Sequence, residues 1–133
     1  MSTVANIMTK HVKTVGAGTS VRSAARKMKE DRISALLVKK GKTFSGIVTD
    51  TDLVRRALAS NKDLAKMTVD DVMTTPVCTI EGLRTVGDAQ EMMGDLGVRH
   101  LGVTQAGEIV GVVSVRDLLV FYQRYSEPKI SQD

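Results

Sequence analysis

The stretch GIVTDTDL, residues 46–53, reads as a strand running into the start of a helix, and GVVSVRDL, residues 111–118, says nearly the same thing 65 residues later. That offset is constant: Met8 to Met73, Gly46 to Gly111 and Asp52 to Asp117. Aligned without a gap, residues 7–55 and 72–120 also agree at Thr9, Val12, Thr14, Val21, Ala24, Met28, Leu36, Val38, Val48 and Leu53. Other pairs keep their apolar character, such as Val15 with Ile80 and Ile33 with Val98. Ungapped agreement at such positions marks a duplication, and an internal repeat decides a fold before any local reading does.

Each copy can be read in order. HVKTV (11–15) and PVCTI (76–80) are short alternating runs, which predict strands. Val21, Ala24, Ala25 and Met28 then fall on one helical stripe, with Ser20 as N-cap and Arg84–Thr85 at the matching start in the second copy. SALLVKK and TFSGIVT predict a hairpin around Gly41–Lys42, repeated by HLGVT and EIVGVVS around Ala106–Gly107. A second helix follows each hairpin, over 50–60 and 115–124, and residues 61–72 connect the copies. The fold class is α/β (α+β), a tandem pair of β-α-β-β-α repeats. The first covers 1–62 with an N-terminal leader and the second 63–125 with the connector. The polar tail SEPKISQD, 126–133, is expected to fray. A repeat of about 50 residues is marginal alone, so the two are expected to pack sheet to sheet about a pseudo-two-fold axis.

Composition narrows the function classes. Of 133 residues 42% are hydrophobic, but only two Tyr and two Phe are present, so the core is aliphatic with help from seven Met. No apolar run reaches the roughly 18–20 residues that span a bilayer, and the N-terminus lacks the apolar region of a signal peptide; a cytoplasmic protein is expected. A single Cys78 excludes an intrachain disulfide and a Cys-rich metal site. The net charge of +4 is spread along the chain without a dense basic block. Nucleic acid is therefore a minor alternative.

The repeated motif is Gly, two apolar residues, Thr or Ser, two variable residues, then Asp. Three chemistries fit it. Thr49 with Asp52, and Ser114 with Asp117, have the spacing of a helix capping box, which needs no ligand. A catalytic carboxylate pair is disfavoured, because Val115 stands where the first copy has Asp50, and His11, His100 and Cys78 have no matching base or nucleophile. No catalytic or metal-ligating residue is assigned. The third chemistry is a clasp for a nucleotide: helix N-terminal amides and a hydroxyl suit phosphate, and an ionised Asp accepts from adjacent ribose hydroxyls.

Together with the leaders ANIMTKHVKTV and DDVMTTPVCTI and the segments DRISALLV and LGVRHLGV, these motifs resemble a pair of CBS domains, a Bateman module, over residues 4–122. The resemblance implies a non-enzymatic regulatory module binding an adenosine ligand (AMP, ADP, ATP, S-adenosylmethionine or NAD) in clefts between the repeats. It implies one ligand set of Thr49 and Asp52 with Thr74, Pro76, Cys78, Val98, Arg99 and His100. It implies a second of Ser114, Arg116 and Asp117 with Met8, His11, Lys13, Ile33, Ser34 and Ala35. Arg99 and His100 replace Ser34 and Ala35, so the Asp52 cleft is expected to favour the more highly phosphorylated ligand. Two departures stand out: Leu37 and Gly102 occupy positions where the family often has Pro, and Lys39 and Lys40 make the hairpin unusually basic.

The resemblance further implies a homodimer through the helices, and Leu118, Leu119, Phe121 and Tyr122, with Met28, Met92 and Met93, supply apolar surface for core or interface. Three classes result: an adenine-nucleotide sensor acting on an unknown protein in trans, a structural dimerisation module without ligand, and a nucleic-acid binder.

Overall fold

Each repeat builds a three-stranded sheet, and the two sheets share order and irregularity. In the computed structural model, which describes residues 2–125, β1 (Thr14–Gly16) pairs parallel with β2 (Ala35–Lys40), which pairs antiparallel with β3 (Thr43–Thr49). The second sheet repeats this with β4 (Thr79–Glu81), β5 (His100–Gln105) and β6 (Glu108–Ser114). The register slips between Val38 and Lys39 in one hairpin and between Val103 and Thr104 in the other, at the same step. The expected tail at 126–133 falls outside the described residues.

A parallel pair needs a crossover, and the predicted amphipathic helices supply it: α2 (Val21–Asp31) and α5 (Val86–Leu96). Their buried faces are Val21, Ala24 and Met28 in one, Val86, Ala89 and Met93 in the other. The Ser20 hydroxyl caps α2 by accepting from the Ser23 amide at 3.1 Å. Both helices end in a left-handed residue, Arg32 at φ 54° and Gly97 at φ 66°. Only the second is a residue free of a Cβ penalty there.

The first strands are shorter than the sequence pattern predicts, starting at Thr14 and Thr79 rather than at residues 11 and 76. Pro76 has no N–H to give a ladder, and on the other side only the Lys13 carbonyl extends the pairing, accepting from the Leu37 amide at 3.1 Å. The helix predicted over 50–60 is also irregular. A single α turn, α3 (Asp50–Asp52), runs into a π-helical segment at Leu53–Leu58, with the Ala59 amide donating to the Val54 carbonyl at 2.9 Å. Its counterpart α6 (Val115–Tyr125) is α-helical throughout. The connector contains a 3₁₀ turn at Leu64–Lys66 and a short α4 (Val69–Val72).

The compact units do not follow the repeat boundary: one is His11–Cys78, the other joins the N-terminal segment through Lys10 to the chain from Thr79 onward. Each unit thus contains the leader of the opposite repeat. In the first, α4 and the residues after it lie on β3, where the Ile47 and Thr74 amides and carbonyls exchange bonds of 3.0 and 2.8 Å. Met67, Val69 and Val72 join the core of Leu36, Val38 and Val48. In the other unit α1 (Val4–Ile7) leads into Thr9, which exchanges the same pair of bonds with Val112, 2.8 and 3.0 Å.

This approach explains the motif glycines. A Cβ on Gly46 would stand 2.7 Å from both the Met73 sulfur and the Thr74 carbonyl oxygen. One on Gly111 would stand 2.6 Å from the Met8 sulfur and 2.8 Å from the Thr9 carbonyl oxygen. A side chain at either place would push the leader off the sheet. No helix among the described residues is long and apolar enough to cross a membrane.

Candidate functional site

Each motif ends its strand at a helix start, where the sequence asks one carboxylate to serve the backbone. At the first, the Asp52 amide donates to the Thr49 hydroxyl at 3.2 Å while the Thr49 amide donates to Asp52 Oδ2 at 3.0 Å. At the second, the Asp117 amide donates to Ser114 Oγ at 3.3 Å, and the Ser114 amide donates to Asp117 Oδ2 at 2.8 Å. The capping boxes read from the spacing are therefore formed in both repeats, and each fixes one carboxylate oxygen while leaving Oδ1 outside the cap.

Beyond the cap the two sites differ. Asp52 is only 7% exposed. Its Oδ1 lies 3.7 Å from Arg56 Nε, and Arg56 Nη1 donates to the carbonyls of Val72 and Met73, each at 3.3 Å. Asp117 is half-buried, and the Ser114 hydroxyl donates to its Oδ2 at 3.1 Å. Among the described residues it has no ion-pair partner. The residue equivalent to Arg56 is Phe121. A cleft of about 290 Å³ opens beside Asp117, lined by Ser2, Asn6 and Ile7 of the leader and by Arg116, Val120, Phe121, Arg124 and Tyr125 of α6. Asp50, the carboxylate the duplication did not keep, accepts from the Thr51 amide at 2.8 Å.

Several candidates from the sequence are brought together inside one unit. Thr74 sits on the strand that ends at Thr49, and the neighbouring Thr75 hydroxyl donates to the Ser45 carbonyl at 2.6 Å. Pro76, exposed, and Cys78, half-buried, follow in the same unit. So do His11, Lys13, Ile33, Ser34 and Ala35: Ala35 faces Thr49 in the ladder, and the Ser34 carbonyl accepts from the Asp50 amide at 2.9 Å. Lys13, exposed, is 4.0 Å from Asp31.

In the other unit Met8 packs at Gly111, while Val98, Arg99 and His100 lead into β5. His100 faces Ser114 across the ladder, and the Arg99 carbonyl accepts from the Val115 amide at 2.9 Å. Arg56, Asn6 and Arg124 were not found from the sequence. Arg56 had a signal, since it is one of the few motif-flanking positions where the copies change from a cation to an aromatic residue. Among the described residues no group of three His, Cys, Asp or Glu side chains is placed to hold a metal ion.

Comparison with known proteins gives one consistent answer. The family model for the CBS domain matches residues 4–59 and again 69–124. The CBS domain-containing protein YhcV of Bacillus subtilis is 30% identical over 120 residues, covering 90% of this chain and 85% of that protein. A solved CBS-domain protein of Burkholderia ambifaria superposes with a TM-score of 0.90 at 29% identity, covering 98% of this chain and all of the other. The CBS domain pair of protein MJ0100, solved with 5′-methylthioadenosine and S-adenosyl-L-methionine, has the same fold: TM-score 0.83 at 24% identity, covering 93% and 98%.

Proposed function

The chain belongs to the CBS-domain family, and from that premise we propose that it is a non-enzymatic regulatory module whose two motif carboxylates grip the ribose of an adenosine ligand. The observation that carries this reading is the state of the carboxylates. Each is aimed by a hydroxyl-and-amide cap at a helix start, and in each the cap uses only Oδ2. An acceptor oxygen fixed in place and left outside the cap is what a pair of ribose hydroxyls requires. The nearby amides at the helix start favour phosphate. MJ0100, with two adenosine-containing ligands on the same fold, supports the ligand class; AMP, ADP, ATP, S-adenosylmethionine and NAD are the candidates.

Beside Asp117 the cleft adds two cations, Arg116 and Arg124, suited to a phosphorylated ligand. Ligand binding then regulates a partner protein by stabilising one arrangement of the module. A thermal-shift screen of the five candidates tests the reading: a ligand that binds only the folded chain at ~100 times its Kd adds about 2.7 kcal/mol of stability. Asp52→Ala and Asp117→Ala should each remove part of that shift. If neither changes the response to any candidate, the ribose assignment is wrong.

A homodimer through the helices is favoured by a specific surface. Only Leu118 of the α6 apolar residues is buried, whereas Leu119 is 65% exposed and Val120 and Tyr122 stand near it on the same helix. Val54, the counterpart of Leu119 in the first repeat, is also exposed. Sedimentation of Leu119→Glu against the parent tests this: a parent dimer that becomes a monomer supports the interface, and an unchanged mass rejects it.

A further inference from the structure

We infer that Arg56 is a positioning residue that sets Asp52 for ribose hydroxyls and gives the first clasp a sharper ribose selectivity than the second. This rests on the reading of Asp52 as the ribose carboxylate.

Arg56 is held at two points. One nitrogen donates to the carbonyls of Val72 and Met73, the end of α4 and its C-cap, and another lies 3.7 Å from Asp52 Oδ1. The carbonyl end of a helix attracts a cation, so the guanidinium has a reason to stay when nothing else is bound. Its distance to Asp52 is beyond the 2.7–3.2 Å of a direct hydrogen bond. The cation therefore orients the nearly buried carboxylate without filling Oδ1, and the lone pairs of that oxygen remain for a ligand. A fork-shaped, planar donor can span the two anchors as an ammonium cannot.

The second repeat shows what happens without it. Phe121 stands at the equivalent place, and Asp117 is held only at Oδ2, by the Ser114 amide and hydroxyl. The backbone differs at the same point, π-helical at Leu53–Leu58 but α-helical through Val115–Tyr125. Insertions of this kind in a helix often accompany a site. Arg56 also ties the motif of one repeat to the leader of the next, so that a ligand pulling on Asp52 is felt at Val72 and Met73.

The test compares adenosine with 2′-deoxyadenosine by calorimetry, in an Asp117→Ala background so that only the first clasp reports. Losing one charge-assisted hydrogen bond to a correctly aimed carboxylate weakens binding about tenfold or more. Arg56→Ala is expected to weaken adenosine by about that factor and leave 2′-deoxyadenosine nearly unchanged, collapsing the preference between them. Arg56→Lys should restore only part of it. A merely structural role would weaken both ligands alike, and that result overturns the inference, as does an unchanged ratio in a variant of unaltered melting temperature. Asp52→Ala in the same background separates the failures. If it binds adenosine as its parent does, the ribose reading itself is wrong; if it loses adenosine while Arg56→Ala keeps the ratio, only the role of Arg56 is.

Discussion

The two repeats agree through most of the core and part company around the motif. Val4 and Val69, Leu36 and Leu101, Val38 and Val103, and Val48 and Val113 are all fully or almost fully buried at matching places. Even the register slip and the close approach of a methionine to the motif glycine recur. The caps recur too. What differs is the layer just outside: Arg56 against Phe121, a π-helical against an α-helical segment, Arg32 against Gly97, Ser23 against Asp88. Packing tolerates few alternatives in a small aliphatic core, whereas a polar rim can diverge without unfolding anything. The duplication has kept one scaffold and given its two motifs different surroundings.

Substitutions can break this comparison, beginning where the repeats should respond alike. Leu36→Ala and Leu101→Ala should each cost about 2–5 kcal/mol in urea unfolding, with similar values because both side chains are about 1% exposed or less. A large loss in one and none in the other would refute equivalent cores. Next in size, Gly46→Ala and Gly111→Ala should each cost about 1–3 kcal/mol. The Met sulfur can move away from the new methyl, but the carbonyl oxygens of Thr74 and Thr9 cannot do so without moving the leader. Wild-type stability in both variants would mean that the leaders are not tightly seated.

Smaller effects should appear where the repeats differ. Arg32→Gly, which copies Gly97, should raise stability by roughly 0.5–1 kcal/mol by removing a Cβ from a left-handed backbone. Gly97→Arg should lower it. The smallest effect is one of pH. Arg84 donates to Asp88 at 3.0 Å, and the Thr85 amide also donates to it at 3.1 Å; together they hold its carboxyl below the ordinary aspartate range. A depressed folded value contributes stability that is fully present above the unfolded pKa of about 3.9 and is lost as pH falls through the folded value. Asp88→Asn should therefore flatten the stability profile in that acid window only. The same substitution of the uncharged counterpart, Ser23→Asn, should leave the acid profile as it is.

Most of the architecture is legible in the sequence, because the duplication supplies each position twice. The helix stripe at Ser20–Met28 is written a second time at Thr85–Met93, and the hairpins are repeated in the same way. The capping boxes were legible because their chemistry is local, three residues from hydroxyl to acid. The exchange of leaders was implied only by the family resemblance, which put Thr74 with Thr49 and Met8 with Ser114, since Thr74 and Ile47, or Thr9 and Val112, are brought together by tertiary pairing that no local periodicity encodes. The strand starts come out too early because alternation already runs through residues 11–13 and 76–78, before the ladders begin at Thr14 and Thr79. The π-helical turn left no trace in a pattern built on 3.6 residues per turn. Arg56 was overlooked because its partners are an acid one turn away and two carbonyls 16 and 17 residues on.

The most direct test of the central claim is a calorimetric titration of the wild-type chain and of Asp52→Ala/Asp117→Ala with AMP and ATP. Both are first checked for an unchanged helical spectrum. Saturable binding by the parent and its loss in the double variant is the result expected if the two carboxylates hold ribose. Equal binding by both proteins, or none of either nucleotide by the parent, would contradict it and leave the two motifs as helix caps alone.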